Sequence, residues 1–400
     1  MGYVCHSWRR DDGLKVSIIG KGTAGCMTAA WCRRWINADE IDWYFDPSIK
    51  PQAVGEGSTL NLPRRLNESL NFSPRDFDSI GATTKTGIYK ESWGSKRKSF
   101  IHDFPSPSTA LHFDATLLQD YVYNKLKDVV SIKEANVSSD DIDADYIIDC
   151  SGRPSSFEDF EMSRYIPVNS VYVTQCSWDY PRFSHTLAIA RPYGWVFGIP
   201  LKNRCSIGYM YNKDINTLEE VKADVEFILD EYALVPNGNT NSFSFYNYRR
   251  KNNFKDNIVY NGNASFFLEP LEATSFATVD NVNTMAIRKW FENSSLELSN
   301  TRYHANLDAC ENIIMLHYAS GSSFKSDFWS YAKERGIKCL ENADPSLKYM
   351  LENSKEPNSV GSYSDSFKKP SKITHHFEAL YQNWWEGSFS QNKIGLGLCQ

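Results

Sequence analysis

The sequence predicts a mixed α/β fold with an N-terminal βαβ unit, an inserted antiparallel sheet and a helical C-terminal module. Three observations support this prediction. Two apolar β-branched runs flank a glycine turn and a helical pattern before residue 50. Strand-like runs follow one another over residues 167–212, and helical periodicity prevails beyond residue 282. The 400 residues are enough for about two or three domains.

The composition is that of a packed globular protein and argues against several classes of partner. Hydrophobic residues make up 41% of the chain, and the formal net charge is −6, so we expect no nucleic acid or membrane partner. No apolar run approaches the roughly 18 residues of a membrane span, and the N-terminal sequence does not resemble a signal peptide. Nine scattered cysteines without a CxxC pair predict a cytoplasmic protein with no metal site. A homo-oligomer stays open.

The first βαβ unit begins close to the N-terminus. Residues 15–20 (KVSIIG) and residues 41–45 (IDWYF) predict two buried strands, and the residues between them have the periodicity of a helix. Residues 112–128 predict a further helix, and residues 145–150 predict another buried strand. This order is typical of a parallel sheet covered by helices.

The middle and the end of the chain have different patterns. Residues 167–212 predict successive strands of an antiparallel sheet, and residues 257–262 (NIVYNG) predict one more strand. Helices are predicted beyond residue 282. Residues 353–374 are rich in Ser, Pro and Lys, which indicates a loop or linker.

A glycine-rich motif lies between the first strand and the first helix, with the sequence Gly20-Lys21-Gly22-Thr23-Ala24-Gly25. This GxGxxG pattern allows a tight turn and brings backbone amides and a helix N-terminus close to a pyrophosphate. Asp46 follows Gly25 by 21 residues, at the end of the second strand, where a carboxylate can accept a hydrogen bond from a ribose hydroxyl. The motif in this context predicts a dinucleotide site.

A bound flavin is the favoured dinucleotide. The nucleotide-binding unit stands at the start of the chain and is followed by an antiparallel insert, as in many flavoproteins. A second strand that ends in a small-residue turn, at Ser151 and Gly152, is expected to contact the same nucleotide. We therefore predict FAD rather than NAD.

Five segments occur in a fixed order between residues 15 and 330. They are GKGTAGCMTAAW (20–31), VGEGSTLNL (54–62), GWVFGIPLKNRCSIGY (194–209), FLEPLEATS (267–275) and NIIMLHYASGSSFKSDFW (312–329). Together they resemble the flavin-dependent halogenases of the tryptophan halogenase family. The third segment is similar to the family signature G-W-x-W-x-I-P, with Phe197 at the second Trp position. The Asn/Ser/Lys-rich loops resemble phage-encoded members.

The resemblance implies a Rossmann-type FAD-binding fold of the flavoprotein monooxygenase type. The FAD-binding domain is expected over residues 14–290, interrupted by substrate-side segments at 66–104 and 161–250. Residues 291–400 are expected to form a helical substrate module. Besides the turn at Ser151 and Gly152, two further sets of flavin contacts are implied: the strap loop, with Val54, Gly55 and Glu56, and the turn at NGNASFF, with Asn263. Asn263 stands where flavoproteins usually have Asp.

The resemblance also assigns two catalytic residues. ATTKTGIYKESW (82–93) is similar to the family pattern K-x-G-I-x-x-x-x-W, which selects Lys85 rather than Lys90. In the segment Glu-Pro-Leu-Glu, the match selects Glu272 rather than Glu269.

The implied reaction uses FADH2, O2 and a halide ion. Reduced FAD and dioxygen form a flavin hydroperoxide, which oxidises halide to hypohalous acid, and Lys85 positions this oxidant beside an aromatic substrate. Glu272 polarises the oxidant or accepts the ring proton. The halide is assigned to the backbone amides of Thr274 and Ser275, where Ser275 replaces a family glycine and is expected to restrict the backbone.

The substrate site is expected at the segment FIHDF, which resembles the family's His-x-Phe segment. Its candidate residues are His102 and Phe104, with Trp195 of the signature as a third. The family segment that grips free tryptophan has no clear match, which favours another small aromatic substrate, such as an indole or a phenol. FADH2 is expected to come by diffusion from a separate flavin reductase.

Two other functions remain open at this stage. A single-component FAD-dependent aromatic monooxygenase would share the fold but would have no use for Lys85 and Glu272. A non-catalytic flavin-binding protein would explain the departures at Phe197, Asn263 and Ser275.

Overall fold

A computed structural model describes residues 13–49, 56–94, 96–104, 108–353 and 386–398. The predicted loop over residues 353–374 lies outside these ranges, apart from its first residue. No helix in this part of the chain is long and apolar enough to cross a membrane.

The predicted βαβ unit is confirmed as part of a six-stranded sheet. Its strands, in the spatial order β16-β17-β8-β1-β2-β7, are β16 (Phe254–Lys255), β17 (Ile258–Tyr260), β8 (Tyr146–Asp149), β1 (Lys15–Ile19), β2 (Glu40–Phe45) and β7 (Ser131–Glu134). All pairs except β16-β17 are parallel. Because parallel strands end at a common edge, β1 and β8 bring the glycine turn and the Ser151 turn together.

The predicted antiparallel insert is confirmed as a seven-stranded sheet. Its order is β14 (Val235–Ser244), β10 (Ser170–Ser177), β13 (Arg204–Tyr211), β12 (Gly194–Pro200), β11 (Thr186–Arg191), β4 (Gly87–Glu91) and β5 (Ser99–Asp103). One pair, β4 with β11, is parallel. Strands from two distant parts of the chain therefore complete one sheet.

Two small sheets connect these layers. One pairs β3 (Thr83–Lys85) with β6 (Ala110–His112), and the other contains β9 (Phe160–Met162), β15 (Tyr248–Arg250) and β18 (Phe266–Phe267). The chain passes from β3 directly into β4, and Gly87 allows this because a Cβ there would lie 2.5 Å from the His102 carbonyl oxygen.

The helices cover the sheets and form the C-terminal module. They are α1 (Thr23–Trp35), α2 (Asn61–Leu70), α3 (Ala115–Leu126), α4 (Leu218–Glu231), α5 (Thr274–Phe291), α6 (Leu296–Ser320), α7 (Asp327–Glu341), α8 (Pro345–Asn353) and α9 (Glu386–Gly395). Helix α3 begins three residues later than predicted, because residues up to His112 pair in β6 and Asp114 caps the helix by accepting from the Thr116 and Leu117 amides.

Candidate functional site

The glycine turn between β1 and α1 is shaped for close backbone approach. Gly20 has φ +101°, and a Cβ there would lie 2.2 Å from the Cys150 carbonyl oxygen. A Cβ on Gly25 would lie 2.0 Å from the Gly20 carbonyl oxygen. Gly22 faces open space, and the first-turn amides of α1, at Thr23 and beyond, have no acceptor within the helix. These features fit a pyrophosphate at the helix N-terminus.

Asp46 follows β2 directly, as the dinucleotide pattern requires. Its Oδ1 accepts hydrogen bonds from the Ser48 amide at 2.8 Å and the Ser48 hydroxyl at 2.6 Å. These two bonds lower the pKa of the Asp46 carboxyl, which is therefore ionised at neutral pH. Its second oxygen is suited to accept from a ribose hydroxyl.

The turns that follow β8 and β17 lie against the glycine turn. Gly152 has φ +103°, and the Ser151 amide donates to Asp149 Oδ1 at 2.9 Å. A Cβ on Gly262 would lie 2.5 Å from the Ala24 Cβ, so the Gly262 turn packs directly against the start of α1. Asn263, next in the chain, is partly exposed, and within the described residues its side-chain amide has no protein hydrogen-bond partner.

The strap loop is described only from Glu56 onward, and Val54 and Gly55 lie outside the described residues. The Glu56 carboxylate is buried and pairs with Arg204, which also contacts Asp114 at 2.9 Å. The Glu56 carbonyl oxygen accepts from the Phe113 amide at 3.0 Å. Glu56 therefore anchors the loop to the protein, and this geometry leaves it little capacity to bind a cofactor directly.

Lys85 lies at the end of β3, next to the strap loop, and its side chain is almost completely buried. Its Nζ donates to the Ser58 carbonyl oxygen at 3.0 Å and lies 5.6 Å from the Phe104 ring centre. Within the described chain, Ser58 is its only hydrogen-bond acceptor. Burial lowers the pKa of Lys85 to about 8, and the charge of Glu272 acts in the opposite direction. The amine is thus available to another partner.

Glu272 lies two residues before α5 and is buried. Its Oε1 contacts Lys90 Nζ and lies 3.2 Å from His317 Nε2, and its Oε2 lies 3.5 Å from His102 Nδ1. Burial alone would raise the pKa of this carboxyl, but the Lys90 charge, together with His102, holds it well below its usual range. Glu272 is therefore a buried carboxylate ion at neutral pH.

Lys90, which the family pattern does not select, is the direct ion-pair partner of Glu272. It is completely buried, and its Nζ also lies 2.6 Å from His317 Nε2 and 2.5 Å from Asn392 Oδ1 on α9. The structure thus places both lysines near the one carboxylate that the resemblance selected.

Glu269, the other glutamate of the segment Glu-Pro-Leu-Glu, has a different environment. It accepts hydrogen bonds from Trp195 Nε1 at 3.3 Å and from the Tyr318 hydroxyl at 2.8 Å. Burial raises the pKa of Glu269 to about 8, and these two donors only partly offset that rise. Glu269 is therefore mainly protonated at neutral pH. Trp195 packs here, against Trp93 with ring centres 6.4 Å apart, and not beside Phe104.

The His-x-Phe segment runs from β5 to the residue just after it and borders Lys85. The His102 and Phe104 rings are 5.8 Å apart at 90°, and Phe104 in turn borders Lys85. His102 Nε2 lies 2.7 Å from the Ser388 hydroxyl on α9. Helix α9 therefore closes this side of the site.

The assigned halide amides lie at the start of the 18-residue helix α5. The left-handed residue is Ala273, with φ 51°, and Ser275 has an ordinary helical conformation. The backbone restriction expected at Ser275 therefore has no effect, because any residue adopts that conformation. The Thr274 and Ser275 amides belong to the first turn, which has no intrahelical acceptors and favours an anion.

The sequence predictions missed Lys90, His317 and Asn392 as neighbours of Glu272. Strand alternation carries a signal for Lys90, because it lies two residues beyond the buried Ile88 and shares its face. His317 follows a buried run on α6, which reads as core. Asn392 is 302 residues from Lys90 along the chain, and no local pattern indicates such a contact.

Comparisons with known proteins point to one family. The family model described as tryptophan halogenase matches residues 15–132 and 117–379. The 7-chloro-L-tryptophan 6-halogenase KtzR of Kutzneria sp. (strain 744) is 23% identical over 69% of this chain and 57% of its own length. The tryptophan 6-halogenase ThaL of Streptomyces albogriseolus is 26% identical over 97% of this chain and 90% of its own length.

A solved structure shares the fold. The tryptophan halogenase of Shewanella frigidimarina superimposes with a TM-score of 0.77 at 18% identity, covering 97% of this chain and 90% of that protein. The match to KtzR spans slightly more than half the length of that relative.

Proposed function

Because this chain belongs to the tryptophan halogenase family, we propose that it is a flavin-dependent halogenase acting on a small aromatic substrate by electrophilic substitution. The observation that carries the proposal is the buried Lys85, with its pKa of about 8, near the ionised Glu272. Neither an aromatic monooxygenase nor a non-catalytic flavin-binding protein has a use for that pair.

The glycine turn and its neighbours would hold FAD. Gly22 faces the open space at the start of α1 where the pyrophosphate would lie, and Gly20 and Gly25 allow the close backbone packing of that turn. Asp46 would accept from the ribose, and Asn263 offers its amide at the same edge. When bound, reduced FAD would give two electrons to dioxygen, and the oxygen at the peroxide level would take two more from halide to yield hypohalous acid and water. The first-turn amides of Thr274 and Ser275 would bind the halide.

Lys85 and Glu272 would act on the oxidant and the substrate. The Lys85 ammonium donates a hydrogen bond to the oxygen of hypohalous acid and so fixes the halogen beside one ring carbon. The carbon–halogen bond forms as the halogen–oxygen bond breaks, and the oxygen leaves as water with the Lys85 proton. The Glu272 carboxylate accepts the ring proton, and return of that proton to Lys85 restores both groups.

The substrate ring would lie against Phe104, which borders Lys85. His102 lies between Glu272, 3.5 Å from its Nδ1, and the Ser388 hydroxyl, 2.7 Å from its Nε2, so we assign it a supporting position at the wall of the site. Trp195 packs beside Glu269 and would not contact the ring. We propose an indole, a phenol or a related aromatic compound as the substrate.

A separate flavin reductase would supply FADH2 by diffusion. The neutral Asn263 in place of an acid suits a flavin that binds and leaves. The seven cysteines within the described residues are free and buried, which supports a reducing compartment, and we propose the cytoplasm.

The test combines the purified protein with a flavin reductase, NADH, FAD and each halide in turn, over a panel of indoles and phenols. Mass spectrometry then distinguishes halogenated from hydroxylated products. We expect a halogenated product, and a loss of at least about 100-fold in Lys85→Met and in Glu272→Gln. Lys98→Met, at an exposed lysine, is the matched control and should behave as wild type. Hydroxylated products, or halogenation unchanged in Lys85→Met, would contradict the proposal.

A further inference from the structure

The contacts of Lys90 match the hydrogen-bonding capacity of an ammonium group. An ammonium has three N–H bonds and no acceptor. Lys90 Nζ has three acceptors: Glu272 Oε1, His317 Nε2 at 2.6 Å and Asn392 Oδ1 at 2.5 Å. The residue is completely buried, so these contacts replace the water that the charge would otherwise bind.

The acceptor role of His317 follows from its other nitrogen. His317 Nδ1 lies 2.9 Å from the Ile313 carbonyl oxygen, which can only accept, so Nδ1 carries the proton. Burial and the Lys90 charge lower the pKa of His317, so the ring is neutral and its Nε2 has a lone pair. Lys90 Nζ therefore donates to Nε2.

Strand geometry directs Lys90 towards Glu272. Lys90 pairs with Phe100, and Ile88 pairs with His102, so these four side chains share one face of the β4–β5 ribbon. His102 and Lys90 therefore approach opposite oxygens of the same carboxylate.

We propose that Lys90 is a positioning residue: its ammonium group holds the Glu272 carboxylate in one orientation and ties it to the C-terminal helix through Asn392. This inference rests on the proposed function, because it assigns Lys90 its effect through Glu272. One ammonium group thus orients the carboxylate and adds to the contact by which Ser388 of α9 meets His102. Lys90 itself has no N–H bond left over for hypohalous acid.

The first test is independent of activity and measures thermal unfolding. In Lys90→Met, the buried carboxylate loses its counterion, so the melting temperature should fall by several degrees at pH 7. The double variant Lys90→Met/Glu272→Gln removes the stranded charge and should recover most of the loss. Lys85, His102 and His317 also face Glu272, and each of them can contribute to the pH dependence of stability. The rescue by the double variant is therefore more decisive than the pH dependence of the melting temperature. Lys98→Met is the matched control. A loss without rescue would show that Lys90 only fills space.

The second test measures halogenation against pH. We expect Lys90→Met to lower kcat at pH 7 at least about 10-fold, with less change in the KM of the aromatic substrate. The acidic limb of the pH–rate profile should move to higher pH by about one unit or more, since Glu272 is then easier to protonate. A merely structural role would reduce the folded fraction without moving that limb.

The two tests separate this inference from the proposed function. If wild type halogenates and Lys90→Met keeps its rate and pH profile, the inference is wrong and the proposed function stands. If wild type forms no halogenated product, the proposed function is wrong, and rescue by the double variant still decides whether Lys90 holds Glu272. Asn392→Leu should lower the melting temperature less than Lys90→Met, because it leaves the ion pair intact. An equal loss in both would assign the effect to helix docking alone.

Discussion

The two buried lysines, Lys85 and Lys90, are five residues apart and lie near the same carboxylate, but their surroundings differ. Lys90 meets three acceptors, one of which is the Glu272 carboxylate. Lys85 has one acceptor within the described residues, the Ser58 carbonyl oxygen. Burial alone therefore does not make a lysine reactive. A saturated ammonium stabilises an ion, and an unsaturated one is available for a substrate.

The Lys90–Glu272 ion pair also explains why the site holds a second lysine beside Lys85. Glu272 must stay ionised in a buried place if it is to accept a proton, and a buried carboxylate needs a counterion. Lys90 supplies this charge, and it further lowers the pKa of Lys85 by repulsion. Lys90 therefore helps to set the properties of both Glu272 and Lys85.

Removing the shared carboxylate should produce the largest effect. Glu272→Gln leaves Lys90 as an uncompensated buried charge, so the free energy of unfolding at pH 7 should fall by about 3–5 kcal/mol. The pKa of Lys85 should fall further, because the Glu272 charge now raises it. Chemical denaturation and a titration of lysine reactivity check the two outcomes. A variant as stable as wild type would show that the Lys90–Glu272 ion pair does not stabilise the folded site.

Removing Lys85 should raise the free energy of unfolding, whereas removing Glu272 should lower it. Its pKa of about 8 in the folded state lies below the roughly 10.4 of an unfolded chain, so protonation of Lys85 opposes folding at pH 7. Lys85→Met should therefore raise the free energy of unfolding at pH 7, by at most about 3 kcal/mol. Wild-type stability gains from this residue as the pH rises from 8 to 10, so the advantage of Lys85→Met should shrink over that range. A variant less stable at pH 7 than at pH 10, relative to wild type, would contradict the comparison.

Replacing Glu269 should change the free energy of unfolding least among these variants. Glu269 is mainly protonated at pH 7, with Oε2 accepting from Trp195 and Tyr318. Glu269→Gln keeps an acceptor oxygen and adds no charge, so unfolding at pH 7 should change by less than about 1 kcal/mol. Denaturant titration of Glu269→Gln beside Glu272→Gln makes this comparison. Equal losses in the two variants would mean that Glu269 is ionised as well.

The sequence was sufficient for most of the fold because its signals are local. The glycine turn, the strand at residues 15–19 and Asp46 belong to one short unit whose geometry follows from periodicity and turn chemistry. The start of α3 is determined by the capping residue Asp114 and by the pairing of β6 with β3, and the helical periodicity of the sequence shows neither of them. Element boundaries depend on such partners.

The site was only half predictable for the same physical reason. Lys85 and Glu272 follow from motifs, and the structure brings both into one buried region. Lys90 lies on the same strand face as Ile88. Because a buried face is expected to carry apolar side chains, the sequence pattern does not predict that a lysine is buried there. Its partners His317 and Asn392 come from helices more than 200 residues away, and only the packed structure unites them.

The most direct test of the division between the two lysines follows the fate of the oxidant in Lys85→Met. With reductase, FAD, NADH, bromide and an aromatic substrate, released hypobromous acid is captured by a chemical trap while the halogenated product is counted. If Lys85 delivers the oxidant, the folded variant should release hypobromous acid at about the wild-type rate of oxidation and halogenate at least about 100-fold more slowly. Halogenation by Lys85→Met at the wild-type rate would contradict the account.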